Sequence, residues 1–264
     1  MNKKLIKTIA SITCGLGIVS SIPFIISNCG SSSEDSLPLN VLPYKYLLIQ
    51  ENREGKMCFY GAVLELVQEY TDNPEAFSQY DTIQIPAYVE TARINSLANF
   101  CGLAKKLTFE KKSKFIETTY NCFSGSSLKS ADFSNCTRLT TLAGNCFWGA
   151  TSLSSVILPP NLSSIEQNAF GQCAALSSVT FPSSLTTIGS AAFYINTSQQ
   201  DVGLKNITWD AWQGADQMSL QSDSFQKVNT SGTVTVTNPI GDNDSAKLLE
   251  YLKTKGLPEG WDAA

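Results

Sequence analysis

The sequence predicts a repeat solenoid that is mainly β with short helical turns, and three observations lead to this fold class. The first is a row of phenylalanines spaced 23, 24, 23 and 23 residues apart, namely Phe100, Phe123, Phe147, Phe170 and Phe193. The second is that valine, proline, leucine and isoleucine keep step with them over residues 153–193. The third is that end-capping signals flank the periodic stretch. A fixed period in the twenties is the sequence signature of stacked repeats.

Each repeat has the pattern of a short strand, a turn and a return segment. In the two most regular copies an alternation in twos starts at Val156 and Val179 and ends at Pro159 and Pro182, as in a strand that a proline terminates. One copy offers about six apolar side chains worth roughly 2 kcal/mol each when buried, whereas ordering about 23 residues costs roughly 1.5 kcal/mol per residue. Because one copy cannot fold alone, we expect the copies to stack. They begin at Ile83, Leu107, Leu128, Leu153, Leu176 and, in degenerate form, Leu204.

The motif of the regular pair, V-x-h-P-x-x-L-x-x-I-x-x-x-A-F in outline (h, hydrophobic), resembles the BspA-type leucine-rich repeat family of bacterial surface proteins. The resemblance covers residues 83–237. Members of that family are typically surface antigens, adhesins or host-protein binders. The resemblance therefore implies a non-enzymatic protein that binds a protein or glycan on a host or neighbouring cell. A passive structural or antigenic surface protein is the alternative.

Residues 1–28 have the pattern of an export signal. Lys3, Lys4 and Lys7 precede about twenty mostly apolar residues, which are long enough to span a bilayer. Residues 26–29 (ISNC) resemble a relaxed bacterial lipobox, as in wall-less bacteria, with Cys29 as the residue that would carry the lipid. The Ser-rich residues 29–38 then suit a flexible tether. The expected location is the outer face of the cell membrane, lipid-anchored; a signal anchor and secretion are the alternatives.

Segments with different patterns flank the solenoid, which we place at residues 83–240. An N-terminal cap is predicted over residues 39–82, with a hairpin around residues 51–55 and a short helix over residues 62–70, where Val63, Leu64 and Val67 have helical spacing. A C-terminal helical cap is predicted over residues 241–264. Its helix covers residues 246–255, residues 242–245 offer N-cap acceptors, Gly256 fits the C′ position, and Trp261 completes the cap.

Composition excludes several kinds of site. Removal of residues 1–28 leaves 16 basic and 23 acidic residues, a net charge of −7, which argues against nucleic-acid binding. The chain has no histidine and no C-x-x-C pair, so neither a histidine triad nor a paired-cysteine zinc site is predicted, and we expect no cofactor. Cys122 and Cys146 share a repeat position about 4.8 Å apart, within bridging distance, but small buried thiols are the expected state.

The candidate binding residues are aromatic and basic. Trp148 and Tyr194 follow the repeat phenylalanine directly and are expected to point outward, and Trp212 could join them. A lysine cluster could bind an acidic partner, and it comprises Lys105, Lys106, Lys111, Lys112 and Lys114. Among enzymes, only a hydrolase that uses a pair of carboxylates stays open as a remote alternative. It would need two acids across one cleft.

Overall fold

The structure is a computed structural model. It describes residues 81–85, 104–196, 202–226, 228–242 and 244–264 with their side chains, and the backbone of four strands outside those ranges. These four are β1 (Ile22–Phe24), β2 (Tyr44–Arg53), β3 (Lys56–Leu66) and β5 (Thr91–Ala92).

Two rows of parallel strands run along the solenoid. The first row is the strand that the repeat pattern predicts, and the second lies in the return segment. Each coil contributes one strand to sheet A and one two-residue strand to sheet B. Sheet A contains β4 (Thr82–Ile85), β6 (Lys106–Phe109), β8 (Ser130–Asp132), β10 (Ser155–Ile157), β12 (Ser178–Phe181), β14 (Asn206–Trp209), β16 (Ser231–Val236) and β17 (Gly260–Ala263). Sheet B contains β5, β7 (Glu117–Thr118), β9 (Thr141–Leu142), β11 (Ser164–Ile165), β13 (Thr187–Ile188) and β15 (Ser219–Leu220). Its hydrogen-bonded ladder is interrupted between β7 and β9, and β16 and β17 extend sheet A alone.

The pairing register follows the repeat length. Val156 lies opposite Ala131 in sheet A, and Ile165 lies opposite Ile188 in sheet B. The hydrogen-bonded ladder of sheet A forms two four-stranded stretches, which meet between β10 and β12. Strands β10 and β12 end before Pro159 and Pro182, as the proline pattern predicts. The solenoid expected from the sequence is therefore confirmed.

The phenylalanine row forms the centre of the core. Phe123, Phe147, Phe170 and Phe193 stack with ring centroids 5.0, 5.3 and 5.3 Å apart, and Phe225 extends the stack 5.4 Å beyond Phe193. None of these five rings is more than 2% exposed. Phe100 lies outside the described residues. The period in the sequence is therefore the spacing of one coil on the next, and it fixes which side chains meet in the interior.

The N-terminal hairpin is present, but the helix predicted after it is wrong over residues 62–66. Strand β3 continues through these residues and pairs antiparallel with β2, so that Leu64 lies opposite Tyr46. Five residues of helix are marginal in isolation, whereas each residue of the longer strand gains pairing with β2. Residues 67–70 lie outside the described part. Strand β1 lies in the predicted export segment and pairs with β2, so cleavage after residue 28 would remove it.

The C-terminal helix α1 (Asp244–Lys253) is present and starts two residues earlier than expected. The Asp244 carboxylate accepts hydrogen bonds from the Ile240 and Gly241 N–H groups at 2.8 and 2.7 Å, so it holds the preceding turn. At the other end Gly256 has φ +92°, and the Leu257 and Gly256 N–H groups donate to the carbonyls of Leu252 and Lys253. These contacts form a Schellman motif with Gly256 at the C′ position, as the sequence predicts for that glycine.

The C-terminal cap contains a strand as well as the helix that the sequence predicts. Strand β17 pairs parallel with β16, so the chain crosses over through α1 and adds one more strand to sheet A. Trp261 on this strand is 1% exposed, and its Nε1–H donates to the Asn229 carbonyl at 2.8 Å. The end of the sheet is therefore covered by a helix and a strand together.

Candidate partner-binding face

The turn that carries each core phenylalanine has the same backbone shape from coil to coil. The residue two positions before the phenylalanine has a left-handed backbone, with φ between 51 and 60° at Asn121, Asn145, Asn168 and Ala191. Asparagine tolerates this conformation better than most residues. The Phe147 N–H donates to the carbonyl of the next coil at 2.7 Å, and equivalent bonds join the other coils. Side chains on this corner are therefore held by a regular, hydrogen-bonded backbone.

Trp148 and Tyr194 lie on this corner, and both are partly exposed. Between them in the same row is Gly171, at the position equivalent to Trp148 and Tyr194 in its own coil. A Cβ added at Gly171 would lie 2.4 Å from Cε3 of the Trp148 indole. The absent side chain at Gly171 therefore lets the indole lie flat against the next coil. The structure brings these two predicted residues to one corner.

Trp212 does not belong to this surface, contrary to the expectation from the sequence. It is 6% exposed, and its Nε1–H points at the Met218 sulfur at 2.9 Å. Its ring centroid lies 6.5 Å from that of Tyr251 on α1. The irregular loop folds back over the coil and buries the indole under α1, an arrangement that local sequence does not encode.

The lysine cluster is exposed, but β6 divides it into two groups. Lys105 and Lys106 lie at the start of β6, whereas Lys111, Lys112 and Lys114 follow its end. The strand separates the groups by roughly 10 Å. The Lys106 Nζ is 4.0 Å from Asp81 Oδ1, an exposed ion pair of the kind that contributes little. The structure therefore does not gather the five lysines into one compact patch.

A groove that sequence reasoning missed lies on the outer face of sheet B. We call it the Tyr120 groove; it has a volume of about 490 Å³, and six of the residues that line it are Glu117, Thr118, Tyr120, Thr141, Ala143 and Glu166. Tyr120 is 52% exposed. The signal that could have revealed it is an aromatic residue three positions before the core phenylalanine, at a position where the next coil has Gly144.

Hydrogen bonds between coils fix the walls of the Tyr120 groove. The Asn145 Nδ2 donates to the Tyr120 hydroxyl at 2.6 Å. The Gly144 N–H donates to Glu166 Oε2 at 2.8 Å. A Cβ at Gly144 would lie 2.9 Å from Cε2 of Tyr120, so the ring and the carboxylate both rest against this glycine. Three successive coils build one preorganised polar and aromatic site.

The described cysteines are buried in the core. Cys122, Cys136, Cys146 and Cys173 all carry thiols, so the described part of the chain shows the small buried cysteines that the sequence predicts. Burial raises the pKa of Cys122, Cys136 and Cys173 to about 12. Such thiols stay protonated at neutral pH and are poor nucleophiles and poor metal ligands.

The described residues contain no group of three or more acids or cysteines arranged to hold a metal ion. Among them, α1 and the other helical segments are all too short or too polar to traverse a bilayer. Cys29 and the lipobox-like segment lie outside the described residues, so lipid attachment there stays a prediction.

Comparisons with known proteins agree with the repeat assignment. A family profile described as "BspA type Leucine rich repeat region (6 copies)" matches residues 73–200. The sequence matches no curated protein.

Among solved structures, the pneumococcal vaccine antigen PcpA is similar at 16% identity, with a TM-score of 0.44, over 60% of this chain and 45% of that chain. A leucine rich cell surface protein from Faecalibacterium prausnitzii is similar at 17% identity, with a TM-score of 0.32, over 78% of this chain and 73% of that chain. The chain thus spans less than half the length of the pneumococcal protein. These structural likenesses are too distant to add to the assignment, which rests on the profile and on the coils themselves.

The repeat profile, the two parallel strands in each coil and the continuous phenylalanine stack agree with one another. Residues 73–200 therefore form a BspA-type leucine-rich repeat region.

Proposed function

We propose that this chain is a non-enzymatic cell-surface protein that binds a macromolecule on a host or neighbouring cell. The BspA-type repeat region supports a surface location, because proteins with such repeats are typically surface proteins. The extended outer faces of stacked coils suit large partners better than small ones.

The observation that carries this proposal is the row of partly exposed aromatic side chains on the phenylalanine corner. Trp148 rests on Gly171, and Tyr194 occupies the equivalent position one coil further along. Aromatic residues dominate binding energy at protein interfaces when their position is fixed before binding. The surrounding stretch, residues 151–200, carries a single charge, Glu166, so a partner meets little charge that must be desolvated.

Binding can be tested with bacteria that display the full-length chain and with cultured epithelial cells as the probe. Trp148→Ala and Tyr194→Ala are expected to weaken attachment about tenfold each. Gly171→Ala leaves both aromatic residues in place but displaces the Trp148 ring, so it should weaken attachment as well. Ile157→Ala is the matched control, because Ile157 is 50% exposed on sheet A, away from this corner. No attachment, or equal attachment by all variants, would favour the passive structural or antigenic role.

We further propose that Cys29 carries the lipid that anchors the chain. The support is the charged, then apolar, then cysteine-containing order of residues 1–29. Growth with radiolabelled palmitate should label the wild-type chain and leave Cys29→Ser unlabelled. Surface protease should digest the wild-type chain on intact cells. An unlabelled, protease-resistant wild-type chain would contradict the anchor and the location together.

A carboxylate hydrolase is the second candidate, because Glu117 and Glu166 line one groove. Both side chains are exposed, whereas a general acid usually gains its raised pKa from burial. Release of reducing ends from polysaccharides, lost in Glu117→Gln and in Glu166→Gln, would establish hydrolysis. No release with a chain that attaches to cells would leave binding as the activity.

A further inference from the structure

We propose that the Tyr120 groove is a carbohydrate site that holds a neutral sugar unit of a glycan, an assignment that rests on the binding function proposed above. It names the chemical class of the partner and adds a second recognition site on sheet B, in coils that precede Tyr194. Three features carry it: a fixed aromatic platform, two separated carboxylates, and a floor of hydroxyl and methyl groups.

The platform is the ring of Tyr120. About half of this residue is exposed, at 52%, yet the side chain is fixed at both ends: the hydroxyl accepts a hydrogen bond from Asn145, and the ring edge rests against Gly144. A fixed ring loses little entropy when a ligand packs on it. The apolar C–H face of a sugar ring is a flat surface that can cover the exposed face of such an aromatic ring.

The carboxylates supply hydrogen-bond acceptors on two sides of the groove. The Glu166 Oε2 is held by the Gly144 N–H, which fixes the direction of the other carboxylate oxygen. Glu117 belongs to a strand two coils away, so the two backbones are roughly 9.6 Å apart. Ionised carboxylates accept short, strong hydrogen bonds from hydroxyl groups. Sugar hydroxyls on opposite edges of one ring, or on adjacent rings, can therefore reach both acids.

The floor is formed by small residues, most of them in the middle coil. The buried Thr118 hydroxyl accepts a hydrogen bond from the Ala143 N–H at 2.8 Å, so this hydroxyl is engaged with the backbone of the next coil. Thr141 and Thr140 present further hydroxyl groups, each able to donate and to accept. The volume of about 490 Å³ lies within the range of roughly 300–1,000 Å³ typical of small-ligand sites. The groove thus combines apolar, acceptor and hydroxyl surfaces at the scale of a sugar unit.

The spacing of the two carboxylates favours a neutral sugar over a cationic ligand. An ammonium or guanidinium group gains most when two carboxylates converge within about 4 Å of it. Here the acids are attached two coils apart, and one oxygen of Glu166 already binds Gly144. A ligand with hydroxyl groups distributed around an apolar ring fits this arrangement better than a point charge does.

The test is binding of the full-length chain, purified in detergent, to an array of neutral oligosaccharides that end in glucose, galactose, mannose or N-acetylglucosamine. Sialylated oligosaccharides and a polylysine spot are the charged comparisons. We expect binding to at least one neutral group that free sugar competes for and that changes little between low and high salt, since a neutral ligand is not screened. Binding to polylysine alone, or to no neutral sugar, would overturn the assignment.

Variants locate the binding to the groove. Tyr120→Ala and Glu166→Gln should each weaken binding roughly tenfold or more, the usual effect of losing an aromatic anchor or a hydrogen bond to a charged group. Gly144→Ala should weaken it by displacing the Tyr120 ring, even though the ring remains. Ile157→Ala, on sheet A and away from the groove, should stay within about twofold, and all variants should melt within a few degrees of wild type. Wild-type affinity in Tyr120→Ala and Glu166→Gln would also overturn the assignment.

Periodate oxidation of the epithelial cells separates this proposal from the function on which it rests. Loss of attachment after oxidation supports the glycan. Unchanged attachment overturns the glycan and leaves the surface-binding function intact. Array binding with no attachment to untreated cells supports the sugar site and contradicts the cell-surface function.

Discussion

Phe170→Ala tests the idea that the phenylalanine stack holds the coils together. Phe170 is 1% exposed and lies between Phe147 and Phe193, with ring centroids 5.3 Å away on both sides and nearly parallel planes. Loss of a buried phenylalanine costs roughly 3–5 kcal/mol. A pair of aromatic rings contributes roughly 0.5–1.5 kcal/mol beyond its buried area. Since two such pairs are lost, we expect the decrease in the free energy of unfolding to fall in the upper part of the first range, at about 4–5 kcal/mol.

The assay is urea denaturation followed by tryptophan fluorescence. Total stability is typically about 5–15 kcal/mol, so the variant should lose a large share of it. Trp148 precedes the lost ring, and Trp209, Trp212 and Trp261 follow it. If the stack couples neighbouring coils, its interruption should make unfolding less cooperative. The fluorescence of Trp148 and that of the three later tryptophans should then give different urea midpoints in Phe170→Ala and the same midpoint in wild type.

Two further variants serve as controls for this prediction. Ile157→Ala, which removes an exposed side chain, should cost less than about 1 kcal/mol. The double variant Phe147→Ala with Phe170→Ala should show a coupling of roughly 0.5–1.5 kcal/mol. A cost for Phe170→Ala below about 2 kcal/mol, or additivity of the two changes, would refute the role given to the stack.

Two further predictions concern the backbone of the corner and the buried thiols. Ala191 has φ +51° at a position where other coils have asparagine. Ala191→Gly should therefore stabilise the chain by about 1 kcal/mol, and Asn168→Ala should destabilise it by a similar amount. Urea midpoints measure both changes, and effects of equal sign would contradict the reasoning. The pKa of Cys122, Cys136 and Cys173 rises to about 12 in the folded state from 9.0. Between these values the unfolded chain binds fewer protons than the folded chain, so stability should be fully present below pH 9 and fall as pH rises from 9 towards 12. The same thiols should react with a thiol reagent at pH 8 only after denaturant is added, and fast reaction in native buffer would show that they are exposed.

Sequence patterns located the solenoid because its interactions are local and repeated. The strand, the proline stop and the phenylalanine recur at nearly equal distances, so each copy indicates the structure of the others. The end of the helix could also be predicted, since Gly256 and Leu257 act within one turn of it. Residues 62–66 were misassigned because their helical spacing is also compatible with a strand, and pairing with β2 decided between the two.

The candidate site was predicted only in part. Trp148 and Tyr194 were found because their position relative to the phenylalanine directs them outward. Tyr120 and Glu166 were missed as a pair because 46 residues separate them, and only the stacking of three coils brings them to one groove. Trp212 was placed outside the core because the pattern around it is irregular, whereas α1 covers it in the fold.

The sequence by itself determined the period, the identity of the core side chains and the residues that occupy each turn, since these depend on spacing along the chain. The tertiary structure alone decided which outer residues become neighbours, because those contacts depend on how one coil is placed against the next. Gly171 under Trp148 and Gly144 beside Tyr120 show the reason. In each pair one residue leaves out a side chain so that an aromatic ring from the preceding coil can lie there, and no pattern within a single repeat records that fit.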